Sequence, residues 1–302
     1  MKNGNKQVET TKTNHLLKIK MMKTMKTNAM AGIICLVLSL FAGNVLMAQD
    51  NGHNHDHEED NEALHVNSVL GSCDFDISPD LTQSEWKQFN KEAGNIIYLN
   101  PLSSSKPLGK LKWDLTLETT TSDVNDNSGA WNNTMHHPDS THTLTDNGRV
   151  TVPGLRFRIG LTDRIDVGVY YAASQPFGAN YGFLGLEAKY AFINDTINDW
   201  AASVRASYVF DANIKDFNLG VAGLDITASK TFFNTLTPYA GISMNWNHSK
   251  IVTNEVSLAN ENYLGVRGIV GLEYRWKFVN LGYELMLGDG FDNSALKIGV
   301  TF

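Results

Sequence analysis

The chain has 302 residues, 42% of them hydrophobic, with 25 Lys+Arg against 32 Asp+Glu and a formal net charge of −7. This is neither a disordered composition nor the basic surface of a nucleic-acid binder, so no nucleic-acid partner is expected. A single segment is apolar enough for a membrane helix, which excludes a polytopic helical transporter.

In chain order, the first element is an address. Lys18, Lys20, Lys23 and Lys26 precede an apolar run from Ala29 to Ala42, Gly43-Asn44 breaks it, and Ala48 precedes Gln49-Asp50. A basic stretch, a short apolar core and a small residue before the break make residues 1–48 a secretory signal peptide. The run is shorter than the ~20 residues a spanning helix needs. Removing it takes away seven Lys and one acid and leaves a net charge of −13. Cys35 leaves with it, so Cys73 stands alone and no internal disulfide is expected.

Residues 49–107 read as a periplasmic leader. Its first part, 49–65, is acidic, His-rich and unable to build a core. His53, His55 and His57 alternate beside Asp56, Glu58, Glu59 and Asp60. Alternate residues of an extended chain project to one side, so the three imidazoles can share Zn²⁺, Cu²⁺ or Ni²⁺. A solvated acidic linker is the plainer alternative. Further on, Thr82 and Glu85 have capping-box spacing, and Trp86, Phe89 and Ala93 share one helical face before Gly94. The pattern predicts a short helix over 83–93, lying on a barrel mouth or packed inside as a plug.

From 108 to 302 the hydrophobic period is two. Ten segments show it: 110–119, 152–161, 165–173, 182–192, 200–210, 217–229, 238–248, 263–276, 279–287 and 295–302. In 200–210, Trp200, Ala202, Val204, Ala206, Tyr208 and Phe210 alternate with Ser203, Arg205 and Ser207. Only 217–229 is ambiguous, because both of its faces are largely apolar. Repeated alternation over ~10 residues, in an even number of strands, predicts an all-β fold: an up-and-down antiparallel transmembrane β-barrel. A soluble barrel would show the same period with its faces reversed. Aromatic strand ends (Phe192, Trp200, Phe210, Trp276), the signal peptide and a last strand ending in Phe302 favour the membrane and contact with outer-membrane lipids. The two longest connections, 120–151 and 248–262, fall on one side, as outer loops should. The N- and C-termini are then expected in the periplasm, with Phe302 offered to the barrel assembly machinery by strand addition.

With strands, signal and terminus placed, the chain resembles outer-membrane β-barrels of Gram-negative bacteria, and the Ala48-Gln49 junction resembles signal-peptide ends in the Bacteroidetes. The run Arg158-Ile-Gly160-Leu-Thr-Asp163-Arg164-Ile-Asp166-Val-Gly168 resembles the R-x-G-L-T-D-R-x-E-L-G hairpin of transporter barrels of the phenol meta-pathway type. Asp166 replaces the usual Glu. The likeness covers about 109–302 in architecture and this hairpin alone in motif, and it implies a barrel without naming a solute.

The inward charges carry the functional expectation. Arg156, Arg158, Arg205, Arg267 and Arg275 face Asp114, Glu118, Glu187, Asp225, Glu273 and Glu284 across a narrow lumen. Such groups either pair into a plug-like network or line a tight channel. The expected role is passage or binding of a small solute, with a metal link through the leader. The alternative is a non-transporting structural or recognition barrel acting through loops 120–151 and 248–262. His136, His137, Asp139 and His142 read as outer-loop surface. No enzyme is expected: His248 and Ser249 are adjacent on a strand and point to opposite faces.

Overall fold

The computed structural model describes residue 75 and residues 77–125, 128–134, 145–146, 148–173, 182–212, 214–288 and 292–302. The signal region, the His53–His57 run, Cys73 and the His136–His142 cluster lie outside the described residues.

The strands are β1 (Trp113–Asp123), the two-residue β2 (Thr145–Asp146), β3 (Arg149–Gly160), β4 (Ile165–Ala173), β5 (Gly182–Asp195), β6 (Trp200–Ala212), β7 (Phe217–Lys230), β8 (Leu236–Ile251), β9 (Glu261–Trp276), β10 (Val279–Leu287) and β11 (Asn293–Thr301). From β3 to β11 each strand pairs antiparallel with the next, and β1 pairs with both β3 and β11. The ten long strands therefore close into an up-and-down barrel, while β2 merely extends the start of β3. Closure pairs every long strand on both sides and removes the sheet edge.

The alternation in sequence becomes an alternation in exposure. On β9, Leu264, Val266, Val270 and Leu272 are exposed while Arg267 and Glu273 are buried. On β11, Leu296 and Ile298 face out and Lys297 faces in. The barrel is polar inside and apolar outside, the inverse of a water-soluble protein. Two strands depart from a strict alternation of apolar and polar residues for physical reasons. A bulge between Ala191 and Ile193 on β5 lets Phe192 and Ile193 both face outward. On β7, Leu224 and Ile226 face out, whereas Phe217, Leu219 and Val221 are buried in an apolar cluster at one end of the lumen. That cluster accounts for the two apolar faces.

The two rims differ. Short turns (161–164, 196–199, 231–235 and 277–278) follow β3, β5, β7 and β9 at one rim. The connections after β1, β4, β6, β8 and β10, including 252–260, lie at the other. The carboxy-terminal residue sits at the short-turn rim, where the Phe302 and Trp113 backbones exchange two 2.9 Å hydrogen bonds.

Helix α1 (Gln83–Ile97) fills the long-loop half of the lumen, touching β1, β3, β7, β8 and β9. Its start is the capping box: the Thr82 N–H donates to Glu85 Oε2 at 2.8 Å and the Glu85 N–H donates to Thr82 Oγ1 at 3.4 Å. Trp86 stacks on Phe89 at 5.6 Å, and Phe89 meets Trp131 and Phe217 edge-on at 5.1 and 5.4 Å. Trp131 belongs to the single-turn helix α2 (Gly129–Asn132) in the β1–β3 connection. Helix α1 runs four residues past the expected end at 93, because Gly94 is not its stop. A Cβ at Gly94 would lie 2.1 Å from Asn247 Nδ2, so glycine permits close approach of helix to wall.

Candidate functional site

The lumen brings the inward charges together with the segment that follows α1. Pro101 and Pro107 prevent this stretch from continuing the helix, and it crosses the lumen without joining the sheet ladder. Its backbone groups must still be satisfied, because Tyr98, Leu99, Asn100 and Leu102 to Ser105 are buried. Side-chain charges on the wall do this. Arg156 donates to the carbonyls of Asn100 at 2.8 Å and Pro101 at 3.1 Å. The Leu102 N–H donates to Glu284 at 2.9 Å and the Ser104 N–H to Glu273 at 3.1 Å. Lys189 donates to the carbonyls of Ser104 and Lys106 at 3.3 and 3.1 Å. The Leu108 N–H donates to Asp166 at 3.1 Å.

The same charges pair with one another. Glu187 accepts from Arg205 at 2.8 Å and Arg156 at 3.4 Å, and Arg158 Nε lies 4.0 Å away. Arg156 also reaches Glu118 at 2.7 Å, and Arg158 bonds Asp114. Arg205 pairs with Asp225 at 2.6 Å and donates to the Leu99 carbonyl. Glu273 accepts from Lys297 at 2.9 Å and from Arg275 at 3.2 Å. Glu284 accepts from the Tyr239 hydroxyl at 2.7 Å. Tyr98, at the foot of α1, donates to Asp225 and accepts from Ser243 at 2.7 Å. Its ring carries Arg267, whose guanidinium carbon lies 4.7 Å from the ring centre. The Arg267 nitrogens have no hydrogen-bond partner among the described residues, although the side chain is 1% exposed.

Arg156, Arg158, Arg205, Arg267, Glu187, Glu273 and Glu284 are thus all buried around the plug, and Arg275 is partly exposed near the short-turn rim. Sequence reasoning did not find the roles of Tyr98, Lys189 or Lys297, nor the path of 98–108. One signal was present: Val150, Phe183, Val209, Phe217, Leu219 and Val221 point inward and are apolar, which demands an apolar filler inside the barrel. At the enzyme candidate, exposed His248 bonds Asn262 at 2.9 Å and Ser249 is buried on the other face. No group of three His, Cys, Asp or Glu side chains is placed to hold a metal among the described residues.

The plug also separates the ends of the described chain. The Ile77 N–H donates to Asp216 at 3.3 Å in the β6–β7 connection, and Gln83 exchanges bonds of 3.2 and 2.8 Å with Ala259 in the β8–β9 connection. At the other rim, Lys106 meets Asp199 at 3.4 Å and the Lys110 N–H donates to Asp163 at 3.3 Å. Phe75 and Phe302 therefore lie at opposite rims. The cause is the stretch 98–108, which runs the length of the lumen before β1 begins.

These features describe an up-and-down β-barrel closed by its own N-terminal segment. No protein-family model and no curated protein matches the chain. Among solved structures it is similar to an outer membrane channel of Pseudomonas putida at 11% identity and TM-score 0.40, covering 68% of this chain and 100% of that one. It is similar to the translocator domain of the autotransporter NalP of Neisseria meningitidis at 8% identity and TM-score 0.38, covering 72% and 94%. The attachment invasion locus protein Ail of Yersinia pestis is similar at 9% identity and TM-score 0.29, covering 64% and 99%. The likeness is one of fold.

Proposed function

We propose that the protein is an outer-membrane barrel with a closed lumen, a non-transporting structural or recognition barrel that works through its long-loop rim. The observation that carries this reading is the unbroken column of chain from Trp86 to Leu108, bonded to charges on every side of the wall. Membrane residence is supported by the outward belt of Leu, Ile, Val and aromatic side chains, which water would not tolerate over so continuous a surface. With short turns periplasmic, Phe302 ends a strand where assembly machinery would read it. No catalytic role belongs to this reading. Passage of a small solute, as in transporter barrels of the phenol meta-pathway type, would require residues 98–108 to leave the lumen. Metal capture by His53, His55 and His57 is a separate property that either reading accommodates.

Planar-bilayer recording on the purified protein tests the closed state. Wild type is expected to insert without steady conductance, and a variant lacking 77–108 to conduct. Sustained ion-carrying openings of the wild type would replace the closed barrel by a channel.

A further inference from the structure

The outward face of the barrel has a hollow in it. Between β7 and β8 an apolar depression of about 340 Å³ is walled by Leu224, Ile226, Ala228, Ala240, Ile242 and Met244. That volume falls within the ~300–1,000 Å³ of ligand sites. Strand register explains the shape. Leu224 pairs with Met244, Ile226 with Ile242 and Ala228 with Ala240, so long side chains flank each other at two levels and two methyl groups at the third. Ala202 on β6 continues the short level beside Ala228. The floor is the paired Thr227 and Gly241, where a Cβ on Gly241 would lie 2.1 Å from the Ile226 carbonyl oxygen. No larger residue fits at that point of the floor.

A cation stands at the short-turn end of the hollow. Lys230 is two residues from Ala228 on the same outward face of β7, and Trp200 is its partner on β6. The ammonium lies 5.0 Å from the Trp200 ring centre and 5.7 Å from that of Phe232. It makes no ion pair among the described residues. Aromatic side chains at a strand end mark the level of lipid headgroups, and a lysine there carries its charge toward them. From Lys230 to Leu224 the strand covers ~20 Å, or ~15 Å of depth at the usual tilt, about half of a hydrocarbon core. Cation and hollow together match one leaflet.

We propose that this face is a phospholipid site, with the phosphodiester of one lipid on Lys230 and one of its acyl chains in the hollow between β7 and β8. The chain gains contact on three sides where a flat wall offers one, and the phosphate supplies the counter-charge that Lys230 lacks. A second copy of the barrel would need a broad complementary surface, whereas this hollow admits a single chain. The site rests on the membrane location of the barrel and is independent of whether the lumen is closed.

Photolabelling tests it. The purified protein would be folded into phosphatidylcholine vesicles holding a minor fraction of phosphatidylglycerol with a diazirine midway along one acyl chain, and the adducts mapped by peptide mass spectrometry. Adducts are expected several-fold more often on Leu224–Met244 than on the outward residues of β9 and β10. Filling the hollow with Ala228→Leu and Ala240→Leu should bring that segment down to the level of the others. Lys230→Gln should also lower it, while Lys277→Gln, whose lysine lies 4.8 Å from the Trp276 ring at the same rim, should not. Even labelling around the folded barrel, or labelling unchanged by the two leucines, would overturn the site. Adducts replaced by cross-links between two copies would put a second barrel there instead. Protein that fails to float with the vesicles would overturn the membrane reading, and the site with it.

Discussion

Arg156 and Arg267 show how differently two buried arginines can be held. Arg156 bridges Glu118, Glu187 and two carbonyls of the plug, so its removal leaves buried carboxylates without a counter-charge. Arg156→Met should cost about 3–5 kcal/mol, read as a lower urea midpoint for unfolding in lipid vesicles. Arg267 rests on the Tyr98 ring and has no hydrogen bond among the described residues. Arg267→Met should cost no more than about 2 kcal/mol, the scale of a desolvated cation–π contact. Equal losses in the two variants would mean that the charges act as one field rather than through pairs. At the capping box, burial pushes the Glu85 carboxyl up, and hydrogen bonds from Thr82 and Asn133 more than reverse this, leaving it below its ordinary value of 4.5. A depressed folded-state value means the cap contributes fully above pH 4.5 and is lost as pH falls through the lower folded value. Tryptophan emission, with Trp86 and Trp131 nearby, should therefore shift in acid, and Glu85→Gln should remove the shift.

Among the elements, the strands and the plug obey different rules. A strand carries one lipid face and one lumen face, so a charge on the lipid side is the sensitive change. Val204→Lys on β6 or Leu272→Lys on β9 should cost about 2–4 kcal/mol near the midplane. The check is unfolding in lipid vesicles; loss-free lysine at both positions would remove those strands from lipid. The lumen side is not permissive either. Ser203 is 1% exposed and bonds Thr227 at 3.2 Å, so a long side chain there meets a filled interior. Helix α1 depends on the wall as much as on its own cap, since Gly94 must lie against Asn247 and Tyr98 must reach Asp225. The extended stretch 98–108 has neither helix nor ladder and is held by charges that replace both.

Taken as one molecule, barrel and plug satisfy each other. Without the plug, Glu273 and Glu284 would lose the N–H groups of Ser104 and Leu102, and Arg156 its two carbonyls. Without the wall, the backbone of 98–108 would have no partners at membrane depth. This mutual dependence is why the closed lumen predicts silence in a bilayer recording, and why a conducting state needs the whole column to move. It also sets the long-loop rim as the face on which α2, the β8–β9 connection and the start of the plug meet.

The amino-acid sequence by itself determined the ten long strands and, for all but 217–229, which residues share a face, because a two-residue period is local and each strand repeats it. The Thr82–Glu85 capping box and the helical face of Trp86 and Phe89 were legible for the same reason. Where the helix sits was not, since an apolar helical face fits a mouth and a lumen equally well. The ambiguous faces of 217–229 held the missing clue, but they become a plug contact only once β7 is curved into a ring. The partners of Arg156, Glu187 and Glu273 come from strand positions up to 38 residues away or from residues 100–104, and no spacing encodes them. Only closure of the barrel, which sets every inward side chain around one narrow axis, decided that the charges would grip the chain's own backbone.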